Sequence, residues 1–169
     1  PTPGIAYLTQ RFACSFGVVI SASHNLYQDN GIQFFDANGS KLSDATEESI
    51  EALLDGPALT RESMQLGRAQ RVDKSRVVYQ EFCMSTIPAG TDLSGLKVVI
   101  DCAHGAAYKV APRVLTDLGA EIIPIGCSPN GKNINLDCGS MHPQHLCQLV
   151  REFRADVGIA HDGDADRVI

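Results

Sequence analysis

The sequence predicts an α/β protein with mainly parallel, mixed sheets flanked by helices. Two observations support this fold class, and a third indicates where its ligand would bind. Short apolar runs of strand length alternate with helical stretches. The second half of the chain has the order β-α-β-loop-α-β, which favours a parallel sheet with right-handed crossovers. Polar loops follow two of the predicted strands, and ligands of open α/β sheets bind at such carboxyl ends.

The first half of the chain contains two predicted strands and then a helix. Gly17–Ser21 is rich in β-formers and is expected to be buried on both faces. Gly31–Phe35 is a second short strand, and Asp36–Gly39 is a turn. Ser43 is expected to cap a helix that runs to about Leu54, because Thr46 and Glu47 lie in its first turn.

A second helix should follow an irregular stretch that covers residues 55–71. This helix is predicted from Asp73 to about Thr86, with Val77, Val78 and Phe82 facing inward. After a loop at Pro88–Ser94, the chain enters its β-α-β-loop-α-β half. The predicted elements of that half are Leu96–Cys102, Ala106–Leu118 (ended by Gly119), Glu121–Ile125, the loop Gly126–Met141, Pro143–Phe153 and Asp156–Ala160.

Composition narrows the class of protein. The chain has 169 residues, 44% of them hydrophobic, and a net charge of −6, which allows one domain or two small ones and argues against nucleic-acid binding. No apolar run approaches the roughly 20 residues of a membrane helix, and no stretch resembles a signal peptide. The six cysteines form no C-x-x-C pair. We expect reduced thiols in a cytoplasmic protein, with Cys102 buried, and a disulfide framework is the alternative.

Three carboxylates followed by an arginine form the strongest chemical signal. Asp162, Asp164 and Asp166 alternate with small residues after the apolar run Val157–Ala160, and Arg167 comes next. At about 5 Å and an effective dielectric of about 20, each pair of carboxylates costs roughly 3 kcal/mol. A hard cation such as Mg²⁺ removes this cost, and the arginine fork suits phosphate. The alternatives are a solvated acidic turn, a calcium loop or an aspartyl phosphatase loop. Arg167 at the sixth position and Asp166 at the usual Thr or Val position fit the last two poorly.

A second polar loop, Ser21–Asn25, follows the first strand. A serine presented there beside small and polar residues can act as a nucleophile or phosphate carrier. An Asx turn or a plain polar loop also explains this pattern. Because both polar loops follow strand ends of successive α/β units, they are expected to face one cleft.

Together, the two motifs resemble those of the α-D-phosphohexomutase family. The serine half of the resemblance is Ser21–Asn25 with Asp29–Ile32, and the acidic half is Asp162–Arg167. Other similar segments extend the resemblance over the whole chain: Pro1–Thr9, Gly67–Ala69, Glu81–Cys83 and Val99–Ala106. Segments that favour the glucosamine-phosphate branch are Asn133–Asn135, Cys138–Ser140 and His142–Pro143.

The resemblance implies a role for each motif residue. Ser23 would be the phosphorylated serine, and its phosphate would complete a Mg²⁺ site made by Asp162, Asp164 and Asp166. Arg167 would steady the phosphoryl group. His24 and Asn25 would shape the loop around it.

The resemblance also implies a domain organisation and a reaction. Residues 1–75 would be the end of domain 1 of a phosphohexomutase, and residues 76–169 most of domain 2, truncated at its end. The full-length protein would interconvert glucosamine 6-phosphate and glucosamine 1-phosphate through a bisphosphate. A homodimer is one candidate for its oligomeric state. The alternatives are action on mannose or glucose phosphates and a non-catalytic phosphate- or metal-binding remnant.

Four positions depart from the family pattern. Leu26 stands where the family usually has proline, and Gln33 where it has a lysine implied in proton transfer or phosphate orientation. These two departures favour the non-catalytic alternative. His104 replaces an asparagine and His161 an apolar residue, and both are expected to be tolerated turn or strand-end residues.

Overall fold

The computed structural model describes all residues from Pro1 to Ile169 and contains five α-helices and five β-strands. The helices are α1 Thr2–Arg11, α2 Asp44–Ala52, α3 Ser75–Ser85, α4 Ala111–Asp117 and α5 Gln144–Glu152. The strands are β1 Phe16–Ser21, β2 Gly31–Asp36, β3 Lys97–Asp101, β4 Glu121–Ile125 and β5 Val157–Ala160. Two 3₁₀ turns lie at Tyr27–Asp29 and Ser63–Gln65.

The first unit is an antiparallel hairpin covered on one side. β1 pairs with β2 in a register that sets Ser21 opposite Gly31. Gly17 lies against α1 so closely that an added Cβ would be 2.1 Å from the Thr9 hydroxyl oxygen. On the other face Ile20 is 70% exposed. The prediction that Gly17–Ser21 is buried on both faces is therefore wrong, because α1 covers only one face of this two-stranded sheet.

Helix α1 was not predicted from the sequence. Pro3 lies in its first turn, where the missing N–H costs nothing and the fixed φ suits a helix. The helix packs on β1 and also on α3, where the Tyr7 and Phe82 rings stack with centroids 3.9 Å apart. These contacts join the hairpin to the segment that leads into the second unit.

The two helices that follow the hairpin agree with prediction except at one position. Ser43 caps α2, since its hydroxyl oxygen accepts the Thr46 N–H at 3.4 Å, and the stretch up to α3 holds only a 3₁₀ turn. In α3, Val78 and Phe82 are half-buried as predicted. Val77 is 46% exposed, so its predicted inward orientation is wrong. Tyr79 takes that place on the packed face.

The second unit is a parallel sheet of order β4-β3-β5, as predicted for this half of the chain. Its central strand β3 has alternating side chains that face two different helices. Val99 packs with Leu146 of α5, and Ile100 packs with the α4 side of the sheet. Helices therefore cover both faces, and the inner strand is buried.

Helix α4 begins at Ala111, five residues later than predicted. Ala103 and His104 have φ of 52° and 49°, which is left-handed backbone, and the following residues form turns. Pro112 has no N–H to bond the carbonyl four residues back, so an earlier helix could not continue through it. The predicted end holds, because Gly119 follows the helix with φ 99°.

The sheet topology creates a natural ligand edge. The chain leaves β3 toward β4 on one side and returns to β5 on the other, so the connections diverge between β3 and β5 at their carboxyl ends. The acidic loop begins there. All six cysteines are free and Cys102 is buried, as predicted. No helix has the length and apolar character needed to cross a membrane.

Candidate active site

The acidic loop is a compact turn fastened to the end of β5. His161 forms a β-bridge with Val168, and the Arg167 N–H donates to Asp162 Oδ1 at 3.1 Å. Asp162 and Asp164 are 0% and 4% exposed. One carboxylate oxygen from each of Asp162, Asp164 and Asp166 lies within 4.8 Å of the others. The loop thus gathers three oxygen donors at one point.

The electrostatics of this cluster are unfavourable for the carboxylates alone. Burial raises the pKa of Asp162, and the neighbouring Asp164 and Asp166 act in the same direction, while Arg167 acts against them. Asp164 Oδ2 accepts a hydrogen bond from the Thr2 hydroxyl. Its Oδ1 is buried without a hydrogen-bond partner. An unpartnered buried carboxylate oxygen among other carboxylates is the donor set that a hard divalent cation prefers.

The serine loop is a tight turn after β1. The Asn25 N–H donates to the Ala22 carbonyl at 2.8 Å, and the Ser23 N–H to Ser21 Oγ at 2.9 Å. Ser23 has φ 50°, a left-handed conformation that costs a non-glycine residue about 1–3 kcal/mol. Leu26 has φ −73°, within the range of proline. The family's usual proline would therefore fit the backbone φ at this position.

Arg167 joins the two loops across 144 residues of sequence. Its Nη2 donates to Ser23 Oγ at 3.0 Å and to His24 Nδ1 at 2.6 Å. Its Nε donates to Asp162 at 3.2 Å and Asp166 at 3.3 Å. Because arginine has only donors, His24 accepts through Nδ1 and keeps its proton on Nε2. The structure thus brings the predicted serine, histidine, arginine and carboxylates into one place.

Asn25 enters this arrangement through its backbone. The Asn135 side-chain nitrogen donates to the carbonyls of both Ser23 and Asn25, at 2.7 Å each. Sequence reasoning assigned no function to Asn135 or to Thr2, although both contact predicted site residues. The only signal for either residue was its place in a segment that resembles the family, Pro1–Thr9 for Thr2 and Asn133–Asn135 for Asn135.

Asp101 is a further polar residue beside the site, and the motifs of the sequence do not include it. It is fully buried at the end of β3 and accepts from the Ala103 and Gly139 N–H groups at 2.9 and 2.8 Å. It therefore fastens the loop that carries Asn135 to the central strand. A carboxylate at the end of a buried apolar strand was the signal that could have identified it.

The structure shows the surroundings of the other three residues that depart from the family pattern. His104 Nδ1 accepts the Ser128 N–H at 3.1 Å, a bond that an asparagine oxygen could also accept. Burial lowers the pKa of His161, although the Arg167 backbone and Asp101 oppose this. Gln33 pairs with Val19 in the hairpin, and its side chain forms no hydrogen bond to the serine loop.

A serine loop at the end of a hairpin strand, held against an acidic loop of a parallel sheet, is the arrangement that the resemblance to phosphohexomutases implied. The chain belongs to the phosphoglucomutase/phosphomannomutase family. The model of its alpha/beta/alpha domain II matches residues 78–169, and that of alpha/beta/alpha domain I matches residues 1–60.

Individual relatives agree with this assignment. Over the whole chain, it is 56% identical to a phosphoglucosamine mutase of Cereibacter sphaeroides, and it covers 38% of that protein. It is 60% identical over 99% of its length to a phosphoglucosamine mutase of Burkholderia vietnamiensis and covers 37% of it. A Thermus thermophilus crystal structure described as a phosphomannomutase superposes with TM-score 0.78 at 25% identity, over 99% of this chain and 39% of that one. The chain thus spans well under half the length of these relatives.

Proposed function

We propose that the full-length protein containing this chain is a phosphoglucosamine mutase. It interconverts glucosamine 6-phosphate and glucosamine 1-phosphate through a phosphoserine and a bisphosphate. One observation carries the proposal: Arg167 spans from Ser23 Oγ, at 3.0 Å, to the carboxylates of Asp162 and Asp166. Identity of 56–60% to phosphoglucosamine mutases over the whole chain supports the choice of sugar.

Mg²⁺ is the proposed cofactor, because the acidic loop fits a hard cation. Three carboxylate oxygens converge within 4.8 Å, and the buried Oδ1 of Asp164 has no other partner. The proposed ligands are Asp162, Asp164, Asp166 and one oxygen of phosphorylated Ser23. When bound, the ion supplies charge stabilisation for the phosphoryl group in transfer.

The protein's own residues handle the phosphoryl group. In transfer, the bond between Ser23 Oγ and phosphorus breaks, and a sugar hydroxyl oxygen forms the new bond to phosphorus. Over the whole step, the proton of the sugar hydroxyl replaces the phosphoryl group on Ser23 Oγ. Arg167 holds Ser23 Oγ in place and presents donors to the phosphoryl oxygens. His24 already accepts through Nδ1, so its Nε2–H serves as a further donor rather than as the base.

The proposed setting follows from the same features. Free thiols fit a cytoplasmic enzyme, and the partner is a phosphosugar substrate. Because the chain covers only 37–38% of its relatives, these 169 residues alone are expected to hold Mg²⁺ weakly and to lack mutase activity. Chemistry of this kind depends on substrate positioning worth many kcal/mol.

The test uses the full-length protein with glucosamine 6-phosphate, a bisphosphate primer and Mg²⁺. We expect glucosamine 1-phosphate to form, and we expect Ser23→Ala to abolish it while the matched exposed variant Ser15→Ala does not. Parallel assays with mannose and glucose phosphates decide the sugar. Equal turnover of Ser23→Ala and wild type would refute the mechanism. No activity on any of the three sugars would favour a non-catalytic role.

A further inference from the structure

Asn135 lies between the two loops of the site, although it belongs to neither. It is 3% exposed and has φ 57°, a left-handed conformation that asparagine tolerates better than most residues. A Cβ added at Gly163 of the acidic loop would lie 2.7 Å from the Asn135 amide nitrogen and 2.5 Å from the Ser23 carbonyl oxygen. The acidic loop, Asn135 and the serine loop are therefore in direct contact.

The orientation of the Asn135 amide follows from its partners. Both atoms that face it, the Ser23 and Asn25 carbonyl oxygens at 2.7 Å, are acceptors only. The NH₂ group must therefore point toward them. The amide oxygen on the other side is buried without a hydrogen-bond partner. The Asn135 side chain therefore acts here only as a hydrogen-bond donor.

These two bonds act on the phosphate-accepting residue Ser23 and on Asn25, two residues later. Ser23 and Asn25 bracket His24, and fixing both carbonyls restricts the backbone rotations that set where Ser23 Oγ points. Ser23 has a left-handed φ of 50°, a conformation that persists only where the surroundings hold it. The structure shows no comparable hydrogen bond from the hairpin itself to these two carbonyls.

Asn135 can hold the serine loop because its own segment is fastened to the second sheet. Its backbone N–H donates to the Ala103 carbonyl at 2.9 Å. Two residues beyond Asp137, Gly139 donates to buried Asp101 at 2.8 Å. Through the Asn135 amide, the serine loop is therefore held at a fixed position relative to the end of β3, which lies beside the acidic loop.

We propose that Asn135 is a positioning residue for phosphoryl transfer, which holds Ser23 in register with the acidic loop. This inference rests on the proposed function, since it concerns the same serine. Asn135 touches no transferring atom. It acts by keeping Ser23 Oγ at the place where Arg167 and the carboxylates converge, and a misplacement of about 1 Å at such a site costs about 100-fold in rate.

The experiment compares Asn135→Gly with Asp137→Gly in the full-length protein. Glycine keeps the left-handed backbone at both positions, and Asp137 has φ 53° and is exposed in the same loop. Single-turnover transfer from glucose 1,6-bisphosphate to Ser23 is measured by rapid quench, together with kcat, KM and Mg²⁺ affinity. Thermal melting reports stability separately.

For Asn135→Gly we expect transfer to Ser23 and kcat to fall about 100-fold, with KM and Mg²⁺ affinity within about threefold of wild type. Asp137→Gly should stay within about twofold of wild type. If Asn135→Gly does not fold, Asn135→Asp replaces it, because it keeps the side-chain shape and removes the donor.

Four results would overturn the inference. Variants of Asn135 that transfer at the wild-type rate would show that the loop needs no such support. A loss that tracks only the fraction of folded protein, or a rise in KM with unchanged kcat, would assign Asn135 to stability or to substrate binding. The fourth result is a wild-type protein that is not phosphorylated on Ser23. In that case both the proposed function and the inference fail, whereas the other three results leave the proposed function standing.

Discussion

The acidic loop and the serine loop rest on unequal supports. The acidic loop follows β5 of a parallel sheet covered by helices on both faces, and its Asp162 is fully buried. The serine loop follows β1 of a hairpin whose outer face is open, with Ile20 70% and Ile32 64% exposed. The charge cluster, which needs fixed geometry, is thus built on the more buried unit. Arg167 beside it bonds to the loop on the more exposed unit.

Contacts between the units run in both directions. Asn135 and Arg167 of the second unit bond to the serine loop, whereas Thr2 of the first unit donates to Asp164 of the acidic loop. Each loop therefore takes part of its order from the other unit. Substitutions of the acidic-loop carboxylates should therefore lower Mg²⁺ affinity and turnover together. Substitutions of the residues that connect the two loops should lower turnover more than Mg²⁺ affinity.

The largest effect is expected from Asp164→Asn in the full-length protein. It removes the charge of a buried carboxylate whose Oδ1 has no partner, so both Mg²⁺ affinity and turnover should fall, turnover by about 100-fold or more. Mg²⁺-dependent thermal stabilisation and kcat measure the two effects. Asp117→Asn, which alters an exposed ion pair with Arg113, is the matched control. Unchanged Mg²⁺ dependence in Asp164→Asn would contradict the ligand assignment.

Arg167→Lys should cause the next largest loss, because it keeps the charge but removes the fork that reaches both loops. A lysine cannot donate to Ser23 and to the carboxylates in the same fixed geometry. We expect kcat to fall about 10- to 100-fold, with a smaller change in Mg²⁺ affinity. Arg113→Lys on the surface of α4 should leave kcat as it is. A normal kcat for Arg167→Lys would mean that charge alone joins the loops.

Thr2→Val should weaken Mg²⁺ binding more mildly. Valine keeps the shape of threonine but cannot donate to Asp164 Oδ2, and loss of a group that orients a metal ligand typically costs about 10-fold or more in affinity. Titration of Mg²⁺ against thermal stability measures this change. Thr2→Ser retains the hydroxyl and should bind Mg²⁺ as wild type does, and equal affinities for Val and Ser would remove Thr2 from the site.

The sequence predicted those parts of the site that lie in contiguous motifs. Ser23 and Asp162 each follow an apolar strand, and a strand end is visible in local pattern. Thr2 and Asn135 could not be found in that way, because their contacts span 162 and 112 residues. Nothing local distinguishes Asn135, which reaches the serine loop, from Asn133, which bonds only within its own segment.

The errors in the fold have similar causes. The outer face of β1 was expected to be buried because its composition matches a strand covered on both faces, but burial depends on how many layers surround the sheet. The start of α4 was placed too early, because Ala106 and its neighbours are good helix formers and the restriction came from Pro112. Composition indicates what a segment can form, and the neighbouring elements determine which part of it does so.

The smallest effect is expected from Leu26→Pro, which stiffens the serine loop without adding a contact. Leu26 has φ −73°, which proline adopts without strain, so the substitution should raise the unfolding free energy by about 0.4–1 kcal/mol through the unfolded chain. Thermal or denaturant unfolding measures this free energy, and Leu26→Ala is the control that should give no gain.

If contacts from the second unit hold the serine loop, Leu26→Pro should also restore part of the kcat lost in Asn135→Gly, because proline limits the conformations that the freed loop can reach. Strictly additive effects on kcat in the double variant would show that Leu26 and Asn135 do not restrict the same motion.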